Sequence, residues 1–200
     1  MMEMIMSTQS SSDIGAPDIA YKMQETFEQA DCLYSNDQVL VAIDRLAKEI
    51  TTQLADLNPL ILIIMNGGLI FGGQLLTRLS FPLQVDYLHA SRYGDNIQGD
   101  VLDWRVQPFI DLKNRCVLIV DDIIDEGKTL LEIMAYCKNQ GANKVLTAVL
   151  TDKVHKRKAT QNLKADFCGL KLEDRFVFGF GMDYQGYWRN APGIYAVKGL

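Results

Sequence analysis

Three short apolar runs, the third broken only by Thr147, constrain the fold of this chain more than any other feature of its sequence. They span residues 59–65, 116–120 and 145–150. Continuous apolar sequence of this length is typical of a strand buried on both faces, as in a parallel sheet. A loop and then a helical pattern follow the first two runs, at 69–79 and 129–139. We therefore predict an α/β fold in which helices flank an open, mostly parallel, Rossmann-like sheet.

The remaining segments predict further elements of a single domain over residues 16–200. An apolar stripe predicts a helix over 16–32, and a second helix follows Ser35 or Asn36, either of which is a suitable N-cap. Residues 1–15, which are rich in serine, are expected to form a flexible leader. The other expected elements are a strand at 83–89, a mobile loop at 91–99, a hairpin arm at 101–107, and edge strands at 176–178 and 194–197.

Composition narrows the class of protein. The chain has 200 residues, 48% of them hydrophobic, which is enough for one sizeable core. A net charge of −5 argues against a dedicated nucleic-acid binder, and the apolar runs are too short to cross a bilayer. The four cysteines are scattered and indicate reduced thiols rather than a disulfide framework. We expect a cytoplasmic protein that binds neither membranes nor nucleic acids.

Acidic residues follow the second apolar run, where the carboxyl end of a parallel strand commonly meets a ligand. Asp121 and Asp122 are adjacent there, and a hard cation or a polyhydroxyl ligand would relieve their repulsion. Residues 125–129 then enter a helix whose first backbone N–H groups suit a phosphate. Gly127 permits the tight turn, and the Thr129 hydroxyl adds a donor. The pattern predicts a magnesium-bound sugar phosphate.

The same segment has other interpretations. Asp125 could simply cap the helix while the preceding aspartates stay solvated. A response-regulator-like pocket also pairs aspartates on a strand, but it lacks the glycine–threonine turn. A Walker A loop requires an earlier glycine that is absent here.

Residues 117–129 resemble the phosphoribosyl-pyrophosphate-binding motif of the type I phosphoribosyltransferases: an apolar strand, two acidic residues, two apolar residues and Asp-x-Gly-x-Thr. Segments in order from about 60 to 197, above all 174–189, are similar to the hypoxanthine-guanine phosphoribosyltransferases. The resemblance implies an enzyme of purine salvage with a small hood region beside the sheet. It also implies Mg²⁺, phosphoribosyl pyrophosphate and hypoxanthine or guanine as ligands, and a homodimer or homotetramer.

The resemblance also implies roles for single residues. Asp125 is the expected catalytic residue, as general base or hydrogen-bond acceptor at purine N7, and magnesium is expected at Asp183, Asp121 and Asp122. The expected substrate contacts are a pyrophosphate loop (Asn66, Gly67, Gly68), a lid (Ser91, Arg92, Tyr93), the ribose-facing Asp121 and Asp122, a 5′-phosphate turn (Glu126, Gly127, Lys128, Thr129), base contacts (Lys153, Phe176, Val177) and the pyrophosphate-binding Arg189.

Residue chemistry agrees with these roles. The Lys153 ammonium can donate to the carbonyl oxygen of a 6-oxopurine, and Phe176 offers a ring face for stacking. Arg189 can hold pyrophosphate through its fork of donors. Taken alone, Lys153 would equally be part of a solvated basic turn, Phe176 a core residue and Asp183 a turn former.

Asn66 departs from the family pattern, since many members have a lysine before the two glycines. Asparagine cannot supply the charge of that lysine, although the family's loop can adopt a non-proline cis peptide here. The glycine spacing does not match a dinucleotide fingerprint, which argues against a nicotinamide cofactor. Two other functions stay open: transfer to xanthine or another base, and a phosphoribosyl-pyrophosphate-sensing regulator that binds nucleic acid.

Overall fold

A six-stranded sheet forms the centre of the computed structural model, which describes residues 16–91, 103–160 and 163–200. Its strands are, in spatial order, β4 (Asp103–Val106), β3 (Gln84–Ser91), β2 (Leu60–Ile64), β5 (Cys116–Ile124), β6 (Lys144–Lys153) and β7 (Phe167–Leu172). β4 is antiparallel to β3, and every other pair is parallel. The predicted α/β class and mostly parallel sheet are confirmed.

Helices cover both faces of this sheet. They are α1 (Ala16–Gln29), α2 (Asn36–Leu54), α3 (Gly68–Leu76) and α4 (Lys128–Asn139), with a 3-10 turn at Ala55–Leu57. On β2, Ile61 and Ile63 join the core that contains the buried residues of α2 and α3. Leu60 and Leu62 join the core on the side of α4. Burial on both faces explains why the strands are continuously apolar.

A local capping signal marks the start of α2. Ser35 is the N-cap, as predicted: its side chain accepts a hydrogen bond from the Gln38 N–H, and the Gln38 side chain accepts one from the Ser35 N–H. This capping box satisfies two N–H groups that the helix leaves without partners. The predicted strand at 83–89 and the arm at 101–107 correspond to β3 and β4, although residues 92–102 lie outside the described part.

A second, three-stranded sheet beside the first forms the hood region. Its order is β1 (Asp31–Tyr34), β9 (Ile194–Ala196) and β8 (Val177–Phe178). The prediction that 176–178 and 194–197 are edge strands of the main sheet is therefore wrong. The helix predicted over 16–32 is also too long, because Asp31–Tyr34 pairs with the distant Ile194–Ala196. Pairing across that sequence distance overrides the helical pattern.

The strand β7 is absent from the predicted elements. Its sequence, FCGLKL, has a polar residue and a glycine, so it lacks a continuous apolar run. Gly169 is needed because a Cβ there would lie 2.5 Å from the Leu150 carbonyl oxygen. No helix in the described ranges is long and apolar enough to cross a membrane. The leader at 1–15 lies outside those ranges.

Candidate active site

The carboxyl ends of β2, β5 and β6 bring the predicted site residues to one edge of the sheet. Because these strands are parallel neighbours, the segments that follow them lie side by side. β5 continues to Ile124, so Asp121 and Asp122 lie in its carboxyl-terminal part, where they were expected. A cleft of about 200 Å³ opens here. It is lined by Asp122, Ile123, Asp125, Lys153, Phe176, Val177, Met182 and Asp183.

The adjacent carboxyls of Asp121 and Asp122 lie in a poorly hydrated position. Asp122 is only 8% exposed. Burial raises the pKa of both carboxyls, and the charge of Asp122 raises the pKa of Asp121 further, whereas Arg189 lowers both. The ionised pair would be stabilised by a cation or by ligand hydroxyls. These desolvated oxygens suit a hard divalent ion such as Mg²⁺.

Asp183, the third predicted metal residue, lines the same cleft but is held by its own loop. Its carboxylate pairs with Arg189 at 2.5 Å and accepts the Gly186 N–H at 2.7 Å. Within the ranges the structure describes, no three acidic, histidine or cysteine side chains converge as a metal-ligand cluster. Asp183 therefore faces the cleft apart from the Asp121–Asp122 pair. Arg189 also donates to the Gly181 carbonyl oxygen at 2.6 Å.

The predicted phosphate-binding turn, 125–129, joins β5 to α4 through a glycine. Gly127 has a φ of +79° and precedes the first residue of α4, in the left-handed region that favours glycine. A Cβ at Gly127 would also lie 2.1 Å from the Leu163 side chain. The Glu126 carbonyl accepts the Ala159 N–H at 2.8 Å, and Lys128 pairs with the Glu126 carboxylate at 3.0 Å. The segment after β6 thus fixes this turn in place.

Asp125 receives a hydrogen bond on each oxygen. Lys153 Nζ lies 2.7 Å from Oδ2, and His155 Nε2 lies 2.7 Å from Oδ1. Burial opposes the charge on Asp125, but Lys153 and His155 together outweigh it and lower the pKa of that carboxyl. Lys153 is 8% exposed, so it is not part of a solvated basic turn. His155 was not predicted as a site residue, because nothing in a basic stretch marks one side chain as buried.

Phe176 and Val177 form the hood side of the cleft. The Phe176 ring is 46% exposed and meets Tyr184 edge-on, with the ring centroids 5.4 Å apart. Phe176 is therefore not a core residue, and its ring has a free face. Val177 is buried on β8.

The loop after β2 packs closely against Asp122 and against the loop that follows β8. The Met65–Asn66 peptide bond is cis, as expected for the family's loop. A Cβ at Gly67 would lie 2.3 Å from Asp122 Oδ2, and a Cβ at Gly181 would lie 2.1 Å from the Gly67 carbonyl oxygen. Gly181, with a φ of +110°, must be glycine because it meets backbone, whereas a Cβ at Gly67 would displace the Asp122 carboxyl group. Asn66 itself is exposed.

Of the three predicted lid residues, the structure describes one. Ser91 ends β3, whereas Arg92 and Tyr93 lie outside the described residues.

The described residues add a contact that the sequence did not predict: α1 packs on the loop that carries Asp183 and Arg189. Trp188 Nε1 donates to the Met23 carbonyl oxygen at 2.7 Å, and the Trp188 ring stacks on Phe27 with centroids 4.7 Å apart.

Comparisons with known proteins agree with this geometry. The family described as Phosphoribosyl transferase domain matches residues 29–185. The chain is 31% identical over 166 residues to the hypoxanthine-guanine-xanthine phosphoribosyltransferase of Tritrichomonas foetus, covering 83% of this chain and 90% of the relative. It is 32% identical over 170 residues to the hypoxanthine-guanine phosphoribosyltransferase of Bacillus subtilis, covering 83% of this chain and 92% of the relative.

Solved structures give the same result. A hypoxanthine-guanine-xanthine phosphoribosyltransferase superposes with a TM-score of 0.78 at 29% identity, over 86% of this chain and 99% of the other. A hypoxanthine phosphoribosyltransferase from Staphylococcus aureus superposes with a TM-score of 0.79 at 25% identity, over 86% of this chain and 94% of the other.

Proposed function

This chain belongs to the phosphoribosyltransferase family, and we propose that it transfers 5-phosphoribosyl from phosphoribosyl pyrophosphate to hypoxanthine or guanine. The products are the nucleoside monophosphate and pyrophosphate. One observation supports this function most strongly: Asp125, Lys153 and Phe176 line the same cleft as Asp122 and Asp183. A purine base and a metal-bound sugar phosphate would therefore meet in one place.

The base side of the cleft suits a 6-oxopurine. Phe176 would stack on the ring, and the Lys153 ammonium would donate to the exocyclic carbonyl oxygen. The Val177 backbone carbonyl is our candidate acceptor for an amino group of the base. Asp125 would accept the N7 proton or its hydrogen bond while the other ring nitrogen attacks the anomeric carbon.

The sugar phosphate would lie beside the base, along the carboxyl end of β5 and the start of α4. The turn from Glu126 to Thr129 would hold the 5′-phosphate at the start of α4, and Asp121 and Asp122 would hold the ribose hydroxyls. Arg189 and the loop at 66–68 would contact the pyrophosphate. Mg²⁺, which when bound stabilises the charge on the leaving pyrophosphate, would be held at Asp183 on the pyrophosphate side and at Asp121 and Asp122 on the ribose side. A lid at Ser91, Arg92 and Tyr93 would exclude water.

The proposed reaction is tested by incubating the protein with Mg²⁺, phosphoribosyl pyrophosphate and either hypoxanthine or guanine. Chromatography should then detect inosine or guanosine monophosphate together with an equal amount of pyrophosphate. Asp125→Asn should lower kcat by about 10²–10⁴-fold, which is the usual contribution of a general base. Asp56→Asn is a matched control, because Asp56 is exposed near the amino end of β2, at the opposite edge of the sheet. Absence of product with both bases would refute the function.

Xanthine is a second candidate base, because the Tritrichomonas foetus relative is named for hypoxanthine, guanine and xanthine. A regulator that senses phosphoribosyl pyrophosphate and binds nucleic acid is disfavoured by the net charge of −5. It would be recognised by strongly salt-dependent binding to RNA or DNA.

We also propose a cytoplasmic location, where thiols stay reduced. All four cysteines are free in the structure.

We propose that the protein assembles as a homodimer or homotetramer through the exposed face of β3. Val85 and Tyr87 are 44% and 48% exposed. They are register partners of Ile61 and Ile63, so they lie on the same face of the sheet as these buried residues. A second copy covering that face would bury them. Light scattering should give a mass of at least two chains, reduced to one chain in Tyr87→Glu, and a monomeric wild type would contradict the proposal.

A further inference from the structure

We propose that His155 is a positioning residue that fixes the orientation and the basicity of the Asp125 carboxylate. This inference rests on the proposed function, in which Asp125 accepts the purine proton. His155 itself does not line the cleft, and its side chain is 3% exposed, whereas the Asp125 side chain is 45% exposed. The ring therefore stands behind the carboxylate and acts on the substrate only through it.

The hydrogen bonds of the ring define its tautomer. His155 Nδ1 lies 3.0 Å from the Arg157 backbone nitrogen, and that N–H can only donate. Nδ1 must therefore be unprotonated, so the proton is on Nε2, which donates to Asp125 Oδ1 at 2.7 Å. A neutral donor contacts one carboxylate oxygen, and the Lys153 ammonium contacts the other.

The segment that carries His155 is itself anchored. The Arg157 guanidinium forms a bidentate pair with Asp174, at 2.6 and 2.8 Å. Asp174 precedes Phe176 by two residues, so this pair joins the His155 segment to the hood side of the cleft. The charged groups that face Asp125 are Lys153 and, at 4.0 Å, Arg157.

Two donors are needed because of the geometry of aspartate. The terminal torsion of an aspartate side chain has a broad energy minimum, so one hydrogen bond leaves the carboxylate free to pivot. Donors on both oxygens fix its plane. An ionised carboxylate offers about four acceptor positions, so the acceptor that faces the cleft stays available for purine N7–H. The Lys153 ammonium has three donors and can contact Asp125 and the base carbonyl together.

Three variants separate this role from a structural one. His155→Phe removes both ring nitrogens. His155→Gln places an amide N–H near the position of Nε2 and keeps the donor to Asp125, whereas His155→Asn keeps only an acceptor for the Arg157 N–H. We expect kcat to fall about 10–100-fold in His155→Phe and His155→Asn, as for a misplaced catalytic group, and to stay close to wild type in His155→Gln. KM for phosphoribosyl pyrophosphate should not change.

The pH profile gives a second measurement. His155 lowers the pKa of Asp125, and the carboxylate is the active form. Loss of the donor raises that pKa, so the acidic limb of kcat/KM should move to higher pH in His155→Phe and not in His155→Gln. If His155 only anchored its segment, His155→Asn would outperform His155→Gln and the acidic limb would not move. Either result would overturn the proposal.

Nuclear magnetic resonance of the wild type tests the geometry without turnover or variants. The chain has only two histidines, so the ¹⁵N-labelled imidazole signals are easily assigned with His155→Gln. We expect a single neutral tautomer with the proton on Nε2, and a signal from Nδ1–H or a mixture of tautomers would refute the assignment. If wild type forms no nucleotide, the proposed function fails. If it does, and His155→Phe matches it in kcat and pH profile, only the role of His155 fails.

Discussion

Replacing Gly67 with alanine tests the close packing between the loop after β2 and the acidic end of β5. A Cβ at this position would lie 2.3 Å from Asp122 Oδ2, 2.5 Å from Cγ and 2.7 Å from Oδ1. The backbone of Gly67 has a φ of −59° and a ψ of −49°, which alanine adopts without strain. The perturbation is therefore a collision with one carboxyl group and not a change of backbone conformation.

The size of the effect follows from the overlap. Oδ2 must recede by about 1.1 Å to reach an ordinary contact distance of 3.4 Å. Asp122 is buried, and the loop cannot move away because its Gly67 carbonyl already lies against Gly181. A displacement of about 1 Å in a reacting site costs about 10²-fold in rate. Overpacking should also lower the free energy of unfolding by about 1–3 kcal/mol.

The assay is kcat/KM for phosphoribosyl pyrophosphate at saturating hypoxanthine, with the melting temperature measured in parallel. Gly73→Ala is the matched control, since Gly73 lies in α3 and a Cβ there meets nothing within 4 Å. It should leave kcat/KM unchanged and increase the free energy of unfolding by up to about 1 kcal/mol. A folded Gly67→Ala protein with wild-type kcat/KM would refute the proposed role of Asp122 beside this loop.

Two further changes probe the same strand end. Thr151→Val removes a fully buried hydroxyl that donates to the Asp122 carbonyl oxygen at 2.9 Å. Calorimetry should show a free energy of unfolding lower by about 1–2 kcal/mol, which corresponds to a Tm lower by about 2–8 °C. An unchanged Tm would contradict this expectation. Asp121→Asn should stabilise the ligand-free protein at neutral pH and abolish turnover. Because burial raises the pKa of Asp121 in the folded state, the wild type loses stability as pH rises through that pKa. The stabilising effect should therefore disappear at acidic pH, and an effect independent of pH would exclude this cause.

Much of the fold could be predicted because burial on both faces leaves a continuous apolar signal. β2 and β5 carry that signal, β6 carries it with one interruption at Thr147, and Ser35 carries a local capping signal, so these elements are predictable. β7 and β1 were missed because distant partners stabilise them: Leu150 and its strand for β7, and Ile194–Ala196 for β1. Pairing of that kind depends on tertiary context, which residue periodicity does not encode.

The candidate site shows the same division. The acidic pair and the turn at Gly127 are close together in sequence, so a metal-binding and phosphate-binding chemistry can be predicted from that one segment. The contact of His155 with Asp125 joins residues 30 positions apart, and the requirement for glycine at 67 arises from a side chain on another strand. Neither leaves a pattern in one sequence. The contact of Trp188 with Met23 of α1 joins residues that are 165 positions apart in sequence.

The most direct measurement of the central claim is kcat/KM for hypoxanthine, guanine, xanthine and adenine with phosphoribosyl pyrophosphate and Mg²⁺. Lys153 lies in the cleft as a donor that would face the 6-position of the base. A carbonyl oxygen accepts from it, whereas the 6-amino group of adenine presents a second donor and leaves both unpaired. We predict efficient transfer to hypoxanthine or guanine and at least about 10³-fold lower kcat/KM with adenine. Transfer to adenine as the preferred base, or to none of the four, would contradict the account.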